Sequence, residues 1–348
     1  MNKEDLQFLR NTIAEFMHKN EKSVRSSERE ALDSSLVDEL AQVGVLGSRI
    51  PTSMGGSELP DDAYFAILNE LSKGSPSLAA RVMITNSLFL PLCKSSKTGN
   101  GILQKVASGI INPAVSFSAA MDESYQSASV SVDSGRVSGS VGKVINSDCQ
   151  ACITAVGDSL VLVYGGLKQE SDERALGLNA LRFSSLFVDT DKYEVLDRDA
   201  NGALGAVLDS IDMELVAISL GIASAALSLA IDYAGQRNAF GHQLKDYQPI
   251  AGKLARLKYE ADYLTEAAQS MGFINDGGKI ALKLRSLELA EEATDMSIQV
   301  HGGYGYFEDF GVERYYRDFA TLQALFVRPN RDRRRLSTIL YGEDSGYL

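Results

Sequence analysis

The sequence predicts an α+β multidomain protein with helices at both ends and antiparallel strands between them. Three observations predict it. Apolar residues recur at helical spacing through the first 112 residues. From about residue 113 to 205, period-two alternation with glycines at the breaks replaces that spacing. Helical spacing returns at Leu208 and persists almost to the end. The expected segments are therefore 1–112, an N-terminal helical domain; 113–205, a small middle β-barrel; and 206–348, a C-terminal helical bundle.

Each element follows in order. Leu6, Leu9, Ile13, Phe16 and Met17 mark an amphipathic surface helix, without the basic region, apolar core and small-residue cleavage site of a secretory leader. A helix from Asp33 to Leu46 ends at Val43-Gly44-Val45, and Arg49 to Gly56 is a turn-rich break. Pro60 to Lys73 carries Ala63, Ile67, Leu68 and Leu71 on one face, and Leu78 to Leu92 is another apolar helix. The strands run through SFSAAM, SASVSVDSGRVSGSVGKVI, ACITAV, SLVLVYGG and LRFSSLFVDTDKY. Leu215 to Ile231 is the most apolar run, flanked by Asp212, Glu214 and Asp232 and broken by Ser219, Ser224 and Ser228. It is too short and too polar for a membrane span, and its small residues suit a helix buried among helices.

Composition narrows the partners. The chain is 45% hydrophobic and 23% charged, with a net charge of −12. That acidity argues against nucleic acid, since phosphate backbones need clustered Lys and Arg. The one basic run, Arg328 to Arg335, reads as a helix face or a local anion contact. Cys93, Cys149 and Cys152 form no disulfide framework, and the C-x-x-C of the last two has no second pair to complete a metal site. A cytoplasmic protein without metal or membrane partner is expected.

The chemistry concentrates in Tyr233 to Ile250, YAGQRNAFGHQLKDYQPI. Arg237 offers planar donors suited to a diphosphate, Gly241 permits close backbone approach, and Phe240 offers a flat ring. With this R-x-x-F-G and Gln248 go the run Gln299 to Tyr306 (Q-x-x-G-G-x-G-Y) and the pair Arg317-Asp318. Together these motifs resemble the C-terminal domain of the acyl-CoA dehydrogenase family. The order of helix, P-x-x-x-G-G loop and helices before residue 112 is similar to its N-terminal domain.

The resemblance implies an N-terminal helical domain, a β-barrel and a C-terminal four-helix bundle, with FAD in a groove completed by a second subunit. It implies that Arg237 holds the cofactor diphosphate, with Phe240 and Gly241 shaping the turn and Gln248 bonding the adenosine part. Gln299, Gly302 and Gly303 reach the FAD of the partner subunit. In the β segment the family's T-E-x-x-x-G-S-D becomes Phe117 to Glu123, where Ser118 keeps the Thr hydroxyl. Its G-x-K-x-[WF]-[IV]-[TS]-N becomes Gly139 to Asn146, followed by Ser147. Phe117, Ser118 and Ser147 are the implied flavin contacts there, and Lys143 and Ile145 replace an aromatic and a hydroxyl.

The implied reaction is FAD-dependent α,β-dehydrogenation of an acyl-CoA or acyl-carrier thioester, in fatty acid or steroid side-chain oxidation, with an electron-acceptor flavoprotein. The family's catalytic Glu precedes Gly-Thr, about eight residues past the Arg-Asp pair. Here that place holds Phe326, followed by Val327 and Arg328. The alternative Glu-Arg position on an earlier helix holds Ile211 and Asp212. Asp212 is the candidate base, about 100° around the helix from the alternative site; otherwise it is an N-terminal helix acid. Three readings stand: a homo-oligomeric dehydrogenase, a base-less subunit completing the FAD pocket of a Glu-containing homologue, or flavin chemistry without an α-proton base.

Overall fold

The computed structural model describes residues 1–28, 34–116, 129–170, 174–269 and 274–342. Its first helices are α1 (Lys3–Lys19), α2 (Glu21–Ser27), α3 (Ser34–Gln42) and α4 (Asp61–Gly74). Next come α5 (Pro76–Met83), a π-helical turn (Ile84–Phe89), α6 (Leu90–Cys93) and α7 (Lys97–Ala107). Strands take over with β1 (Pro113–Ser116), β2 (Ser129–Asp133), β3 (Arg136–Ile145) and β4 (Ala151–Val156). They continue as β5 (Ser159–Val163), β6 (Leu167–Gln169), β7 (Phe183–Thr190) and β8 (Tyr193–Asp197). Helix resumes at α8 (Ala200–Ser210) and α9 (Asp212–Gln236). A short hairpin, β9 (Asn238–Ala239) and β10 (His242–Gln243), leads to α10 (Gln248–Gln269). The chain closes with α11 (Asp276–His301), α12 (Glu313–Phe326) and α13 (Pro329–Tyr341). The succession of helices, strands and helices is the one the hydrophobic periods predict.

Two compact units divide the chain: one of Met1–Glu15, Asp61–Pro76 and Asp212–Leu348, the other of Phe16–Pro60 and Ser77–Ile211. In the first, α9 is the central helix and packs against α4, α10, α11 and α12. Its small residues make this possible. A Cβ on Gly221 would meet Ser72 Oγ at 1.9 Å and the Asn69 carbonyl at 2.5 Å, so only glycine allows α4 so close. Asn69 donates to the Ala217 carbonyl at 3.0 Å and Ser297 of α11 donates to the Ala226 carbonyl at 2.8 Å. These cross-helix bonds satisfy hydroxyl and amide groups that burial would otherwise strand. α9 is apolar enough by length and composition to cross a membrane, but 67% of its most apolar window is buried inside the protein.

In the second unit the sheet order is β6-β7-β3-β1-β4-β5-β8, with β2 paired to β3. Val137, Val141, Val144, Cys152, Val161, Val163, Leu186 and Val188 make its core. Most neighbours are antiparallel, as alternation predicts, but β1 and β4 run parallel, Pro113 opposite Ala151. The reason is topological. β3 lies antiparallel to β1, and β4, reversing again after β3, comes to lie on the other side of β1 in the same direction as β1. Asn146 fastens the arrangement by donating to the Pro113 carbonyl at 2.6 Å, while Gln150 accepts from the Asn112 amide at 2.7 Å. A bulge between Val141 and Val144 interrupts the β3–β7 register, with Lys143 at φ +54°.

Candidate functional site

The C-terminal end of α9 builds one wall of a cleft. Arg237 closes the helix by donating its N–H to the Tyr233 carbonyl at 2.8 Å. The hairpin then turns through Phe240 (φ +50°) and Gly241 (φ +86°). Two consecutive positive φ values are what a two-residue hairpin turn requires, and glycine meets the second without strain. Tyr247 donates its hydroxyl to the Ala239 carbonyl at 2.6 Å, and the Leu244 N–H reaches the Arg237 carbonyl at 2.9 Å. The Arg237 backbone is thus fixed while its side chain stays exposed, and Phe240 at the turn tip is 98% exposed.

The C-terminal end of α11 supplies the other wall. His301 is buried, donates from Nδ1 to the Ser297 carbonyl at 2.7 Å, and stacks on Tyr233 with ring centroids 4.2 Å apart. Because the carbonyl can only accept, Nδ1 carries the proton in this contact. Burial pulls the imidazole below its ordinary pKa, partly offset by that bond. Gly302 (φ +58°) ends the helix and Gly303 follows it; a Cβ on either would meet nothing within 4 Å. Their backbone therefore faces open space. The Tyr304 ring lies 5.7 Å from the Arg237 guanidinium carbon, within cation–π range.

Arg237, Tyr233, His301, Gly302, Gly303 and Tyr304 all line one cleft of about 450 Å³, together with Leu244, Val300 and Phe307. The lining carries one permanent cation and no carboxylate. Arg237 and the paired glycines, expected to serve different FAD molecules, thus line the same cleft of one chain. The stacking of Tyr233 on His301 sets the ends of α9 and α11 side by side. Sequence reading missed Tyr233, His301 and Tyr304. Tyr233 stands four residues before Arg237 on the same helical face, which was the available signal. Gln248, the first residue of α10, and Gln299 are exposed and outside the lining, as are Phe240 and Gly241. Ser147 belongs to the other unit, buried, its hydroxyl without a hydrogen-bond partner. Phe117 and Ser118 lie outside the described residues.

The candidate base is differently placed. Asp212 opens α9 and is 5% exposed. Lys283 donates to its Oδ1 at 2.6 Å, and Arg335 reaches Oδ1 at 3.1 Å and Oδ2 at 2.8 Å. Lys283 also donates to Asp332 at 2.6 Å. Taking an α-proton would neutralise a carboxylate already paired with two cations in a buried network, so the geometry of Asp212 is that of an anchor rather than a poised base. The basic run contributes Arg335, a local anion contact. Lys283 was not legible as a partner because it lies 71 residues from Asp212 in sequence. Ile211 and Phe326 are buried apolar side chains. Cys149 and Cys152 are free; the hydrogen bond between the thiols, and then burial, push Cys149 well up.

Residues 3–101 match the acyl-CoA dehydrogenase N-terminal domain and residues 206–325 the acyl-CoA dehydrogenase C-terminal domain. The benzylmalonyl-CoA dehydrogenase of Aromatoleum aromaticum is 28% identical over 84% of this chain and 85% of its own. The CarC subunit of the caffeyl-CoA reductase–Etf complex of Acetobacterium woodii is 25% identical over 81% of this chain and 83% of its own. A glutaryl-CoA dehydrogenase from Mycobacterium smegmatis, solved in complex with FADH2, shares the fold at a TM-score of 0.82 and 18% identity, covering 99% of this chain and 96% of that one. With both terminal domains matched and the fold shared along the whole length, the chain belongs to the acyl-CoA dehydrogenase family, whose members are FAD-dependent oxidoreductases.

Proposed function

We propose that this chain is an FAD-binding subunit of an acyl-thioester dehydrogenase, holding the cofactor diphosphate while a Glu-containing homologue supplies the α-proton base. The observation that carries the second half is the pair of occupied base positions: Phe326 is buried apolar surface, and Asp212 is clamped by Lys283 and Arg335. The first half rests on the cleft. A diphosphate needs a planar cation, bare backbone for close approach and no competing acid, and Arg237 with Gly302 and Gly303 meets all three. The residues present therefore fit FAD. When bound, FAD supplies the hydride acceptor for α,β-dehydrogenation of the thioester. This chain's own contribution is positional: Arg237 pairs the phosphate oxygens, Tyr304 holds the guanidinium from its far side, and the Tyr233–His301 stack keeps the two helix ends in register. The cleft is exposed, so an FAD held there has its remaining surface covered by another subunit, which makes the assembly an oligomer.

The relative named as part of an Etf complex supports an electron-transferring flavoprotein as the acceptor, and the CoA thioesters in the relatives' names support an acyl-CoA substrate. The test is to purify the chain alone and co-expressed with a Glu-bearing homologue, following flavin absorbance and acyl-CoA-dependent bleaching. Flavin-dependent turnover only in the co-expressed preparation supports the proposal. A yellow homo-oligomer that is bleached by acyl-CoA on its own refutes it, and loss of that bleaching in Asp212→Asn would return the base to Asp212.

A further inference from the structure

We propose that His301 is a second, proton-dependent binding group of the Arg237 cleft: when a diphosphate enters, Nε2 takes a proton from solvent, and an imidazolium holds the anion beside the guanidinium. The inference rests on the reading of this cleft as the cofactor diphosphate site. His301 and Arg237 line the same cleft, with Tyr233 stacked on the imidazole and Tyr304 within cation–π range of the guanidinium. Nδ1 is committed to the Ser297 carbonyl at 2.7 Å, and among the described residues no group bonds to Nε2. In the neutral ring Nε2 is a bare lone pair, which repels a phosphate oxygen; protonated, it becomes a donor. Burial lowers the imidazole pKa, so the ligand-free protein holds the neutral form at neutral pH.

The charges around the cleft call for a second cation. α9 ends at Gln236 and α11 at His301, so two helix C-termini meet here. Each carries roughly half a negative charge, and together they offset Arg237. A dinucleotide diphosphate adds a negative charge on each phosphate, which Arg237 alone does not balance. Of the lining residues described, His301 is the one that can gain a positive charge, and the end of α11 favours it there. Neighbouring elements do not answer it first. Asp232 of α9, Asp295 of α11, Lys245 and Asp246 before α10, and Glu308 and Asp309 before Phe310 are exposed and outside the lining. Glu313 of α12 pairs with Arg317, and Arg256 of α10 with Glu260 and Glu292. His242, in the hairpin after Arg237, is exposed and lies edge-on to Tyr247, with ring centroids 6.4 Å apart.

The experiment uses the full-length protein in the oligomer in which it is purified, stripped of flavin and titrated with FAD by calorimetry. The FAD diphosphate stays fully ionised between pH 6.0 and 8.5, so a proton taken up in that range belongs to the protein. Binding at pH 7.5 in HEPES and in Tris, buffers of different ionisation enthalpy, should show uptake of a fraction of a proton. FAD should bind the parent about 3- to 10-fold more tightly at pH 6.0 than at pH 8.5, the range for one imidazole whose pKa rises by about half to one pH unit on binding. His301→Phe, which keeps a ring against Tyr233, and His301→Gln, which hydrogen-bonds without a charge, should both lose the uptake and show a flat pH profile. His242→Asn should keep both. A parent that takes up no proton, or whose pH profile matches those of the two His301 variants, overturns the inference. So does binding that tightens as pH rises, the mark of Nε2 accepting from a cofactor hydroxyl, or an uptake that survives His301→Phe and vanishes in His242→Asn. The cleft reading fails separately: undiminished FAD affinity in Arg237→Ala puts the diphosphate elsewhere. Weakened binding in Arg237→Ala without proton uptake in the parent keeps the cleft and removes the role of His301. No FAD binding at any pH overturns both.

Discussion

The two ends of α9 carry opposite charges and meet opposite surroundings. At the N-terminal end Asp212 is buried and shares Lys283 and Arg335 with Asp332, so every charge has a counter-charge within the chain. At the C-terminal end Arg237 is exposed, no carboxylate lines its cleft, and the Tyr304 ring lies within cation–π range of its guanidinium. A charge answered inside the fold is spent on holding helices together. One left facing an acid-free cleft is available to a ligand. The sequence motif pointed to Arg237 and left Asp212 one residue from a replaced base position, and their partners separate an anchor from a binding group.

The largest test of that contrast removes the shared cation. Lys283→Met leaves Asp212 and Asp332 facing each other with only the partly exposed Arg335 between them, and breaking a buried pair from one side costs about 3–5 kcal/mol. Chemical denaturation should therefore show a large fall in midpoint. Asp212→Asn should cost less, because Lys283 keeps Asp332. A loss below about 1 kcal/mol for Lys283→Met, the size of an exposed pair, would mean the N-terminal end is solvated and the contrast false.

The next test acts on the other end and should leave stability alone. Arg237→Ala should weaken flavin retention about 10- to 100-fold, the range for charge-assisted hydrogen bonds. Its unfolding free energy should stay within about 0.5 kcal/mol of the parent, as for other exposed positions. Arg237→Lys should fall between, since an ammonium cannot pair two oxygens in a plane. Flavin content after gel filtration and a denaturation curve measure both quantities on one sample. A destabilised Arg237→Ala that keeps its flavin would make the residue a helix-end support.

How far the sequence discloses these two ends follows from the range of the interactions. Period and punctuation are local, so the change from helix to strand at Pro113 was readable, as was the buried character of α9, while the return to helix was read at Leu208, inside α8, which begins at Ala200. The Arg237 hairpin was readable for the same reason: Phe240 and Gly241 fix the turn within a few residues. The pairing of Arg237 with Gly302 and Gly303 on one wall was not, because it depends on α9 and α11 ending together, a fact carried by the Tyr233–His301 stack. The Asp212 network was still less accessible, joining residues 49, 71 and 123 positions apart. The parallel β1–β4 pair escaped too, since alternation fixes a strand's faces but not its direction relative to a neighbour.

A smaller test separates the two glycines that share the cleft. Gly302 holds φ +58°, where an L-residue is strained, and Gly303 does not take a left-handed φ. Gly302→Ala should lose about 1–3 kcal/mol of stability together with flavin affinity. Gly303→Ala should keep its stability and lose affinity alone, because the added methyl meets no protein atom and can obstruct only a ligand. Unchanged flavin binding in Gly303→Ala would remove that backbone from the cofactor contact.

The smallest effect lies in the pH dependence of the cleft wall. Burial lowers the His301 pKa from its ordinary value near 6.5, so in the pH interval between the two values the unfolded chain binds more protons than the folded one. Stability from this residue is therefore complete above the unfolded pKa and is lost as pH falls below it. His301→Phe keeps a ring against Tyr233 and removes the titration. Between pH 7.5 and 5.5 the parent should lose more unfolding free energy than His301→Phe, all other titrating groups being common to both. Flavin sharpens the comparison. A diphosphate paired with Arg237 sits beside the imidazole and favours its protonated form, so the flavin-loaded protein should show a flatter acid limb than the flavin-free one. The same acid limb with and without flavin would separate His301 from the phosphates and confine its role to holding α9 against α11.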